Sequence, residues 1–219
     1  MAKLKPVQVK ICGITNVDDA RWVVNLGGDF VGLNFCAESP RKVSVEKAAE
    51  VAASLPPFVK SVGVFINPEI KELEKILKKV PLGALQLHGD EPLEFLPVLK
   101  SQFRLPIWKA VRVENEESLK RISDYAGIAD VLLLDTYKPG QAGGTGESFD
   151  WNLAVSAKQY GIPVFLAGGL KPENVVEAIQ TAEPVGVDAA SGVEKEGRPK
   201  KKDLDKLKLF IQRAKGMMK

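Results

Sequence analysis

The sequence predicts a single (β/α)₈ barrel over residues 1–219, in which eight parallel strands close into a ring surrounded by eight helices. Short β-branched or apolar runs alternate with amphipathic segments, and eight such pairs follow one another. The run Val131–Leu134 shows no apolar–polar alternation, which is typical of a parallel strand covered on both faces. A chain of 219 residues fits the roughly 200 to 250 residues that such a barrel needs, with none left for a second domain. An open doubly wound sheet is the alternative fold.

The strands and helices follow in order from runs of Val, Ile, Leu and Phe and from the amphipathic segments between them. Prolines near the predicted starts of three helices suit a first helical turn. The predicted strands are Val7–Ile11, Phe30–Phe35, Ser61–Phe65, Ala84–Leu87, Ile107–Val111, Val131–Leu134, Val164–Ala167 and Gly186–Ala189. The predicted helices are Val17–Leu26, Val45–Leu55, Pro68–Lys79, Pro92–Lys100, Glu116–Ala126, Trp151–Gln159, Pro172–Thr181 and Leu204–Ala214.

Composition excludes several classes of protein. A net charge of +3 is too small to indicate a nucleic-acid or membrane partner, and no segment approaches the roughly 18 apolar residues of a membrane span. Because no apolar run follows the first lysines, we expect a cytoplasmic protein, in which Cys12 and Cys36 are reduced. A lone His88 without a Cys/His cluster argues against zinc, so the sequence predicts chemistry without a metal.

The end of the sixth strand gives the strongest indication of an enzyme. Asp135 follows the apolar run Val131–Leu134 and is the first residue there able to turn a polar group toward the barrel rim. The glycine-rich run Gly143–Gly146 comes next, and its backbone N–H groups are suited to an anion. An acid beside an anion cradle predicts catalysis at this rim.

Cys12 ends the first strand. Alternation places Gln8, Lys10 and Cys12 on one face, with Cys12 at the rim directly before Gly13. Close to Lys10, its thiol is expected to have a lowered pKa and to act as a base or nucleophile. The alternative is that Cys12 is a small buried hydrophobe.

Two further rim loops carry candidate binding residues. Arg41 follows the rigid Ser39–Pro40 step, and its guanidinium suits a carboxylate or phosphate, although most arginines are solvated surface groups. His88 lies on the same side of its strand as Gln86, where a lone histidine is more often structural than catalytic.

The loops after strands seven and eight predict a phosphate site. Gly168–Gly169 follow the seventh strand, and Ser191–Gly192 follow the eighth, which contains Asp188. Backbone N–H groups of these loops and a short helix after Gly192 are expected to converge on one dianion, without a nearby lysine or arginine.

Taken together, these residues resemble the phosphoribosylanthranilate isomerases of tryptophan biosynthesis over nearly the whole chain. The resemblance implies one barrel, a small-molecule substrate, phosphoribosylanthranilate, and no cofactor or metal. It implies that Cys12 is the general base, Asp135 the general acid and Arg41 the partner of the anthranilate carboxylate. It also implies a set of substrate-binding residues: His88, Gly144, Gly168, Gly169, Asp188, Ser191 and Gly192. The motifs that carry it are Lys10–Gly13, Ser39–Arg41, Gln86–Gly89, Leu133–Asp135 with Gly143–Gly146 and Phe149–Trp151, Leu166–Leu170, Gly186–Asp188 and Ser191–Glu194.

The chain departs from the family pattern at two places. Ala190 stands where the family often has serine, and Arg198–Lys202 lengthens a stretch that is usually short and is expected to lie beyond the chemistry. One alternative is another sugar-phosphate enzyme, such as indole-glycerol-phosphate synthase or a Schiff-base aldolase using Lys10. A nucleic-acid or regulatory binding protein using Lys200–Lys202 is disfavoured, because no aromatic residues are interleaved with these lysines. The sequence indicates no oligomeric state.

Overall fold

The protein is a closed barrel of eight parallel strands that pair in sequence order, with the last strand pairing back onto the first. The structure, a computed structural model, describes residues 7–136 and 150–217. The predicted (β/α)₈ fold is confirmed, and the open sheet is wrong because β1 and β8 are hydrogen-bonded to each other. The strands are β1 Gln8–Cys12, β2 Phe30–Asn34, β3 Lys60–Phe65, β4 Ala84–Leu87, β5 Ile107–Val113, β6 Val131–Thr136, β7 Val164–Leu166 and β8 Gly186–Ala189.

Helices follow each barrel strand and cover the sheet from outside. The three helices predicted to begin at Pro68, Pro92 and Pro172 begin instead at Ile70, Phe95 and Val175. The fifth and sixth helices are shorter than predicted, because the α-helix gives way to a 3₁₀ turn over Arg121–Tyr125 and over Lys158–Tyr160. Such turns tighten the last carbonyl groups of a helix where the chain must turn back to the sheet. The α-helices are α1 Val17–Asn25, α2 Val45–Ala53, α3 Ile70–Leu77, α4 Phe95–Phe103, α5 Glu117–Lys120, α6 Asn152–Ala157, α7 Val175–Ala182 and α8 Leu204–Ala214.

Aromatic rings fill the interior of the barrel near the N-terminal ends of its strands. The ring centroid of Trp108 lies 5.0 Å from that of Phe30 and 4.6 Å from that of Phe165. A Cβ atom at Gly186 would overlap the Phe165 ring, so β8 needs a glycine where that ring crosses it. This aromatic cluster fills the barrel at the N-terminal ends of the strands, and the open space lies at their C-terminal ends.

A small antiparallel hairpin between β8 and α8 is absent from the sequence prediction. Its strands are β9 Glu194–Lys195 and β10 Arg198–Lys202, and Gly197 at the turn has φ +65°. A 3₁₀ turn over Ser191–Val193 precedes it, where a short helix was predicted after Gly192. The hairpin packs beside the C-terminal rim and brings a lysine into the barrel wall, as described below.

Candidate active site

A cavity of about 610 Å³ opens at the C-terminal ends of the barrel strands. Residues from β1, β2, β3, β4, β6 and β8 and from the loops after β2, β3, β4, β7 and β8 line it together, so side chains far apart in sequence share one space. The lining includes most of the predicted site residues, namely Cys12, Arg41, His88, Asp135, Gly168, Gly169, Asp188 and Ser191. Gly192 is not among the lining residues, and Gly144 lies outside the described residues.

Cys12 reaches the cavity because β1 turns Lys10 and Cys12 toward the barrel interior, as predicted. The Lys10 side chain is 0% exposed, and its Nζ donates to Asp188 Oδ2 at 2.9 Å. Gly32 on β2 leaves room for both side chains, since a Cβ atom there would lie 2.8 Å from Cys12 Sγ and 3.0 Å from Lys10 Nζ. A buried ammonium group therefore lies beside the thiol.

The expected lowering of the Cys12 pKa is wrong. Burial is the largest influence on this thiol and raises its pKa above the ordinary 9.0, because a thiolate loses its hydration inside the barrel. The positive charge of Lys10 lowers the pKa but does not offset burial, and the carboxylate of Asp188 raises it further. The sequence pattern revealed the cation next to Cys12 but not the extent of burial.

Asp135 has a raised pKa, which suits the role of general acid that the resemblance implies. The longest strand pairing of the barrel, between β5 and β6, holds this residue at the rim, where its side chain is 6% exposed. Burial raises its pKa to about 6, although its Oδ1 accepts a hydrogen bond of 2.9 Å from the backbone N–H of Thr136, which favours the charged form. A carboxyl group of this kind retains a proton in part near neutral pH.

Arg41 lies on the cavity wall. Its own loop and the carboxylate of Glu194, which is distant in sequence, hold it in place. Its backbone N–H donates to Ser39 Oγ at 3.1 Å. Its Nε and Nη2 atoms donate to the two carboxylate oxygens of Glu194, both at 2.8 Å. This paired geometry orients the guanidinium along the rim, and it identifies Glu194 as a residue that shapes the site.

The expectation that Arg198–Lys202 lies beyond the chemistry is wrong for its last residue. Lys202 ends β10 and is 1% exposed. Its Nζ donates to Glu194 Oε1 and to the carbonyl oxygen of Ala190, both at 3.0 Å. The end of β10 is held against the barrel, where the backbone N–H of Lys202 donates to Asp19 Oδ2 at 3.1 Å, while Lys200 and Lys201 are exposed. Lys202 therefore belongs to the same buried charge network as Arg41, and a lysine does lie near the strand-eight loop.

His88 and Gln86 face the cavity from β4 and its loop. His88 is half-buried, and burial with the nearby positive charges lowers its pKa to about 3, so the ring is neutral. Glu91, at the start of the segment that follows His88, is buried and pairs with Lys109. Its other oxygen accepts backbone N–H groups from the loops after β3 and β4. This ion pair fixes the loop that presents His88.

The two glycine-rich loops meet as predicted at the β7 and β8 side of the cavity. Gly168 and Gly169 have φ values of +76° and +62°, a region that favours glycine. A Cβ atom at Gly168 would overlap Thr136 Oγ1, and one at Gly192 would overlap the Leu170 carbonyl oxygen. These glycines thus permit the end of β6 and the loops after β7 and β8 to approach one another closely.

Comparison with known proteins agrees with this arrangement. The family described as N-(5′-phosphoribosyl)anthranilate (PRA) isomerase matches residues 9–213. The chain belongs to this family. The N-(5′-phosphoribosyl)anthranilate isomerase of Geobacter metallireducens is 44% identical over 209 residues, which are 95% of this chain and 99% of that protein.

Solved structures of isomerases are similar over the whole barrel. The phosphoribosyl anthranilate isomerase of Thermotoga maritima has a TM-score of 0.88 and 43% identity, with 96% of this chain and 99% of that chain covered. A phosphoribosyl anthranilate isomerase in complex with reduced 1-(o-carboxyphenylamino)-1-deoxyribulose 5-phosphate has a TM-score of 0.84 and 41% identity, with the same coverage. The resemblance drawn from the sequence motifs is therefore confirmed.

Three residues that shape the cavity of this isomerase were given no role from the sequence alone. Gln86 is buried and lines it, while Glu194 and Lys202 hold its wall. The spacing of Gln86 and His88 gave a usable signal, since both project inward from one strand. For Lys202 the signal was the glycine turn at Gly197 between two short extended runs, a pattern typical of a hairpin.

Proposed function

We propose that the whole chain acts as one catalytic domain that isomerises N-(5′-phosphoribosyl)anthranilate to 1-(2-carboxyphenylamino)-1-deoxyribulose 5-phosphate. The observation that carries this proposal is that Cys12 and Asp135 line the same cavity in a barrel of the isomerase family. The reaction is an Amadori rearrangement, which needs one group to give a proton and another to remove one. Asp135 and Cys12 supply these two roles.

Asp135 acts first, as the general acid. It donates its proton to the ribose ring oxygen, the bond between that oxygen and C1′ breaks, and a Schiff base forms at the anilino nitrogen. Its pKa of about 6 supports this role, because part of the population is protonated near neutral pH and proton transfer to the ring oxygen is efficient. The buried position also keeps the carboxyl group away from bulk water.

Cys12 acts second, as the general base. Its thiolate removes the proton from C2′, the electron pair forms a C1′–C2′ double bond, and the resulting enolamine tautomerises to the ketone. The buried ammonium group of Lys10 favours the thiolate, while burial opposes it. Each such proton transfer contributes on the order of 10² to 10⁴ in rate.

The two directions of pKa shift define how the pair is protonated. Because the pKa of the Cys12 thiol is raised and that of Asp135 is about 6, a thiolate together with a protonated carboxyl group is a minor form of the free enzyme. We therefore expect a bell-shaped pH dependence of kcat/KM, with one limb near pH 6 from Asp135 and one at alkaline pH from Cys12.

Arg41 binds the anthranilate carboxylate in this proposal. A guanidinium carries five N–H donors, and Glu194 uses two of them, so further donors are available to a second carboxylate. The fixed orientation of Arg41 supports this role, since a guanidinium already held in place loses little freedom when it binds. The predicted role of Arg41 and the observed pairing with Glu194 are compatible.

The phosphate binds at the loops after β7 and β8 in this proposal. Backbone N–H groups around Gly169, Ser191 and Gly192 are the proposed donors. The positive φ values at Gly168 and Gly169 support a backbone that turns its N–H groups inward. Lys202 beneath Ala190 adds a positive charge to this end of the site.

The alternatives receive less support. An aldolase would need Lys10 as a neutral amine, but Lys10 is fully buried against Asp188 and its pKa is raised, despite the opposing effect of burial, by the charges of Asp188 and Cys12. The nucleic-acid hypothesis relied on three neighbouring lysines, of which Lys202 points inward. In the described residues no helix is long and apolar enough to cross a membrane. Two free thiols support the expected cytoplasmic location.

Freshly prepared phosphoribosylanthranilate tests the proposal. The protein should remove anthranilate-type fluorescence in a protein-dependent manner and form the deoxyribulose phosphate product, identified by mass and chromatography. A lyase of the indole-glycerol-phosphate synthase type would instead consume that product and release carbon dioxide. The proposed isomerisation would be refuted if the protein left phosphoribosylanthranilate unchanged, or if it turned over only the deoxyribulose phosphate compound.

A further inference from the structure

Two buried acceptor atoms in the cavity have no hydrogen-bond partner among the described residues. They are Oε1 of Gln86, whose residue is 1% exposed, and Oδ1 of Asp188, whose residue is 7% exposed. Both residues line the cavity. Buried polar atoms in folded proteins almost always have partners, because an unpaired one loses its hydration without compensation. Two such atoms in one cavity therefore indicate that a ligand supplies the missing donors.

The chemistry of the substrate restricts which of its groups can satisfy these atoms. The proposed substrate has a carboxylate and a phosphate, which at neutral pH offer mainly acceptor oxygens and would be repelled by a carboxylate oxygen. Its hydroxyl groups can donate, whereas its anilino N–H lies next to the ortho carboxylate of the same ring, which can accept it. The part of the molecule that carries the hydroxyl groups lies between its two anionic ends.

The position of Asp188 assigns it to one hydroxyl group. Its Oδ2 accepts from Lys10 at 2.9 Å, and Lys10 lies beside Cys12, so the free Oδ1 is close to the group that removes the proton from C2′. The hydroxyl group on C2′ is then the nearest donor. Gln86 projects from β4, on another wall of the barrel, and needs a different donor.

The course of the reaction identifies that second donor. The oxygen on C2′ becomes the ketone, and the ring oxygen takes a proton from Asp135 when the ring opens. Only the hydroxyl group on C3′ is the same in substrate, intermediates and product. A permanent acceptor such as a neutral glutamine amide suits this group, because it needs no change of protonation during turnover.

We propose that Gln86 is a specificity-determining residue that accepts a hydrogen bond from the C3′ hydroxyl group of the substrate, while Asp188 accepts one from the C2′ hydroxyl group. This inference rests on the proposed isomerase function. Gln86 touches substrate but transfers no proton, so its loss weakens recognition of the sugar chain without removing the acid or the base.

A variant and a modified substrate test this inference together. Gln86→Met preserves the length and volume of the side chain and removes the acceptor, and Gln8→Met makes the same change at an exposed position at the other end of the barrel. With phosphoribosylanthranilate, kcat/KM should fall by about 10- to 100-fold in Gln86→Met and stay within about threefold in Gln8→Met. With the 3′-deoxy substrate, wild type and Gln86→Met should differ by less than about threefold.

The outcomes separate the inference from the function. Equal losses in Gln86→Met with both substrates, or no loss with either, would overturn the role of Gln86 even though the wild type is active. A wild-type enzyme that turns over the 3′-deoxy substrate as well as the natural one would overturn it without any variant. Failure of the isomerase function itself would appear as an inactive wild type. Urea unfolding of Gln86→Met verifies that it is folded.

Discussion

Replacing Asp135 by asparagine should make the protein more stable and nearly inactive. The amide side chain introduced by Asp135→Asn keeps an acceptor for the backbone N–H of Thr136, which bonds Asp135 Oδ1 at 2.9 Å, but it cannot donate an acidic proton. Turnover should therefore fall by at least about 10². The gain in stability follows from the position of the carboxyl group, since burial penalises its charged form.

The size of the gain follows from the pKa. A folded-state pKa of about 6 against the ordinary 3.8 corresponds to about 3 kcal/mol when the group is fully ionised. Between these values the folded protein binds more protons than the unfolded chain, so the free energy of unfolding falls as pH rises through this window. The variant lacks this penalty. Its advantage should be about 3 kcal/mol at pH 8 and less than about 1 kcal/mol at pH 4.

Equilibrium unfolding in urea measures the effect at both pH values. Asp124→Asn, at an exposed aspartate, is the matched control and should change the free energy of unfolding by less than about 0.5 kcal/mol. If Asp135→Asn is no more stable than wild type at pH 8, or if its advantage is the same at pH 4, then burial does not raise the pKa of Asp135 as described. Retention of near-normal turnover would remove it as the general acid.

Three further predictions concern the cavity wall. Gly168→Ala should lower the free energy of unfolding by at least about 1 kcal/mol more than Gly161→Ala. Both glycines have positive φ, but only a Cβ atom at position 168 would meet the backbone of β6. Equal losses in urea unfolding would contradict this prediction. Lys202→Met should cost about 2 kcal/mol of stability and raise KM, whereas the exposed Lys201→Met should do neither, and no difference between the two would exclude the buried network. Arg41→Lys should raise KM more for phosphoribosylanthranilate than for an aniline analogue without the carboxylate, and equal effects in steady-state kinetics would place Arg41 elsewhere.

Local patterns in the sequence were sufficient for the barrel and for eight of the residues that line the cavity. The eight apolar runs could be recognised because parallel strands are buried on both faces, and the alternation in β1 placed Lys10 and Cys12 inward. Asp135 could be assigned to the site because an acidic side chain at the end of a buried strand lies at the barrel rim. These inferences depend on neighbours in sequence, which a pattern can show.

Contacts between distant segments could not be predicted in the same way. Arg41 and Glu194 are 153 residues apart, and nothing in either motif indicates that they pair. The pKa of Cys12 depends on burial created by several strands, so the nearby Lys10 alone gave the wrong direction. Lys202 was interpreted as part of an exposed charge run because its inward orientation depends on the hairpin, which was missed.

The most direct test of the proposed mechanism is the turnover of phosphoribosylanthranilate by Cys12→Ser compared with Cys36→Ser. Both cysteines line the cavity, and the same change is made at each. The Cys36 thiol donates to the carbonyl oxygen of Val64 at 3.6 Å, a bond that serine can replace. We predict a loss of at least about 10² in kcat for Cys12→Ser and less than about threefold for Cys36→Ser. Near-normal turnover by Cys12→Ser, or an equal loss in both variants, would contradict the assignment of Cys12 as the base.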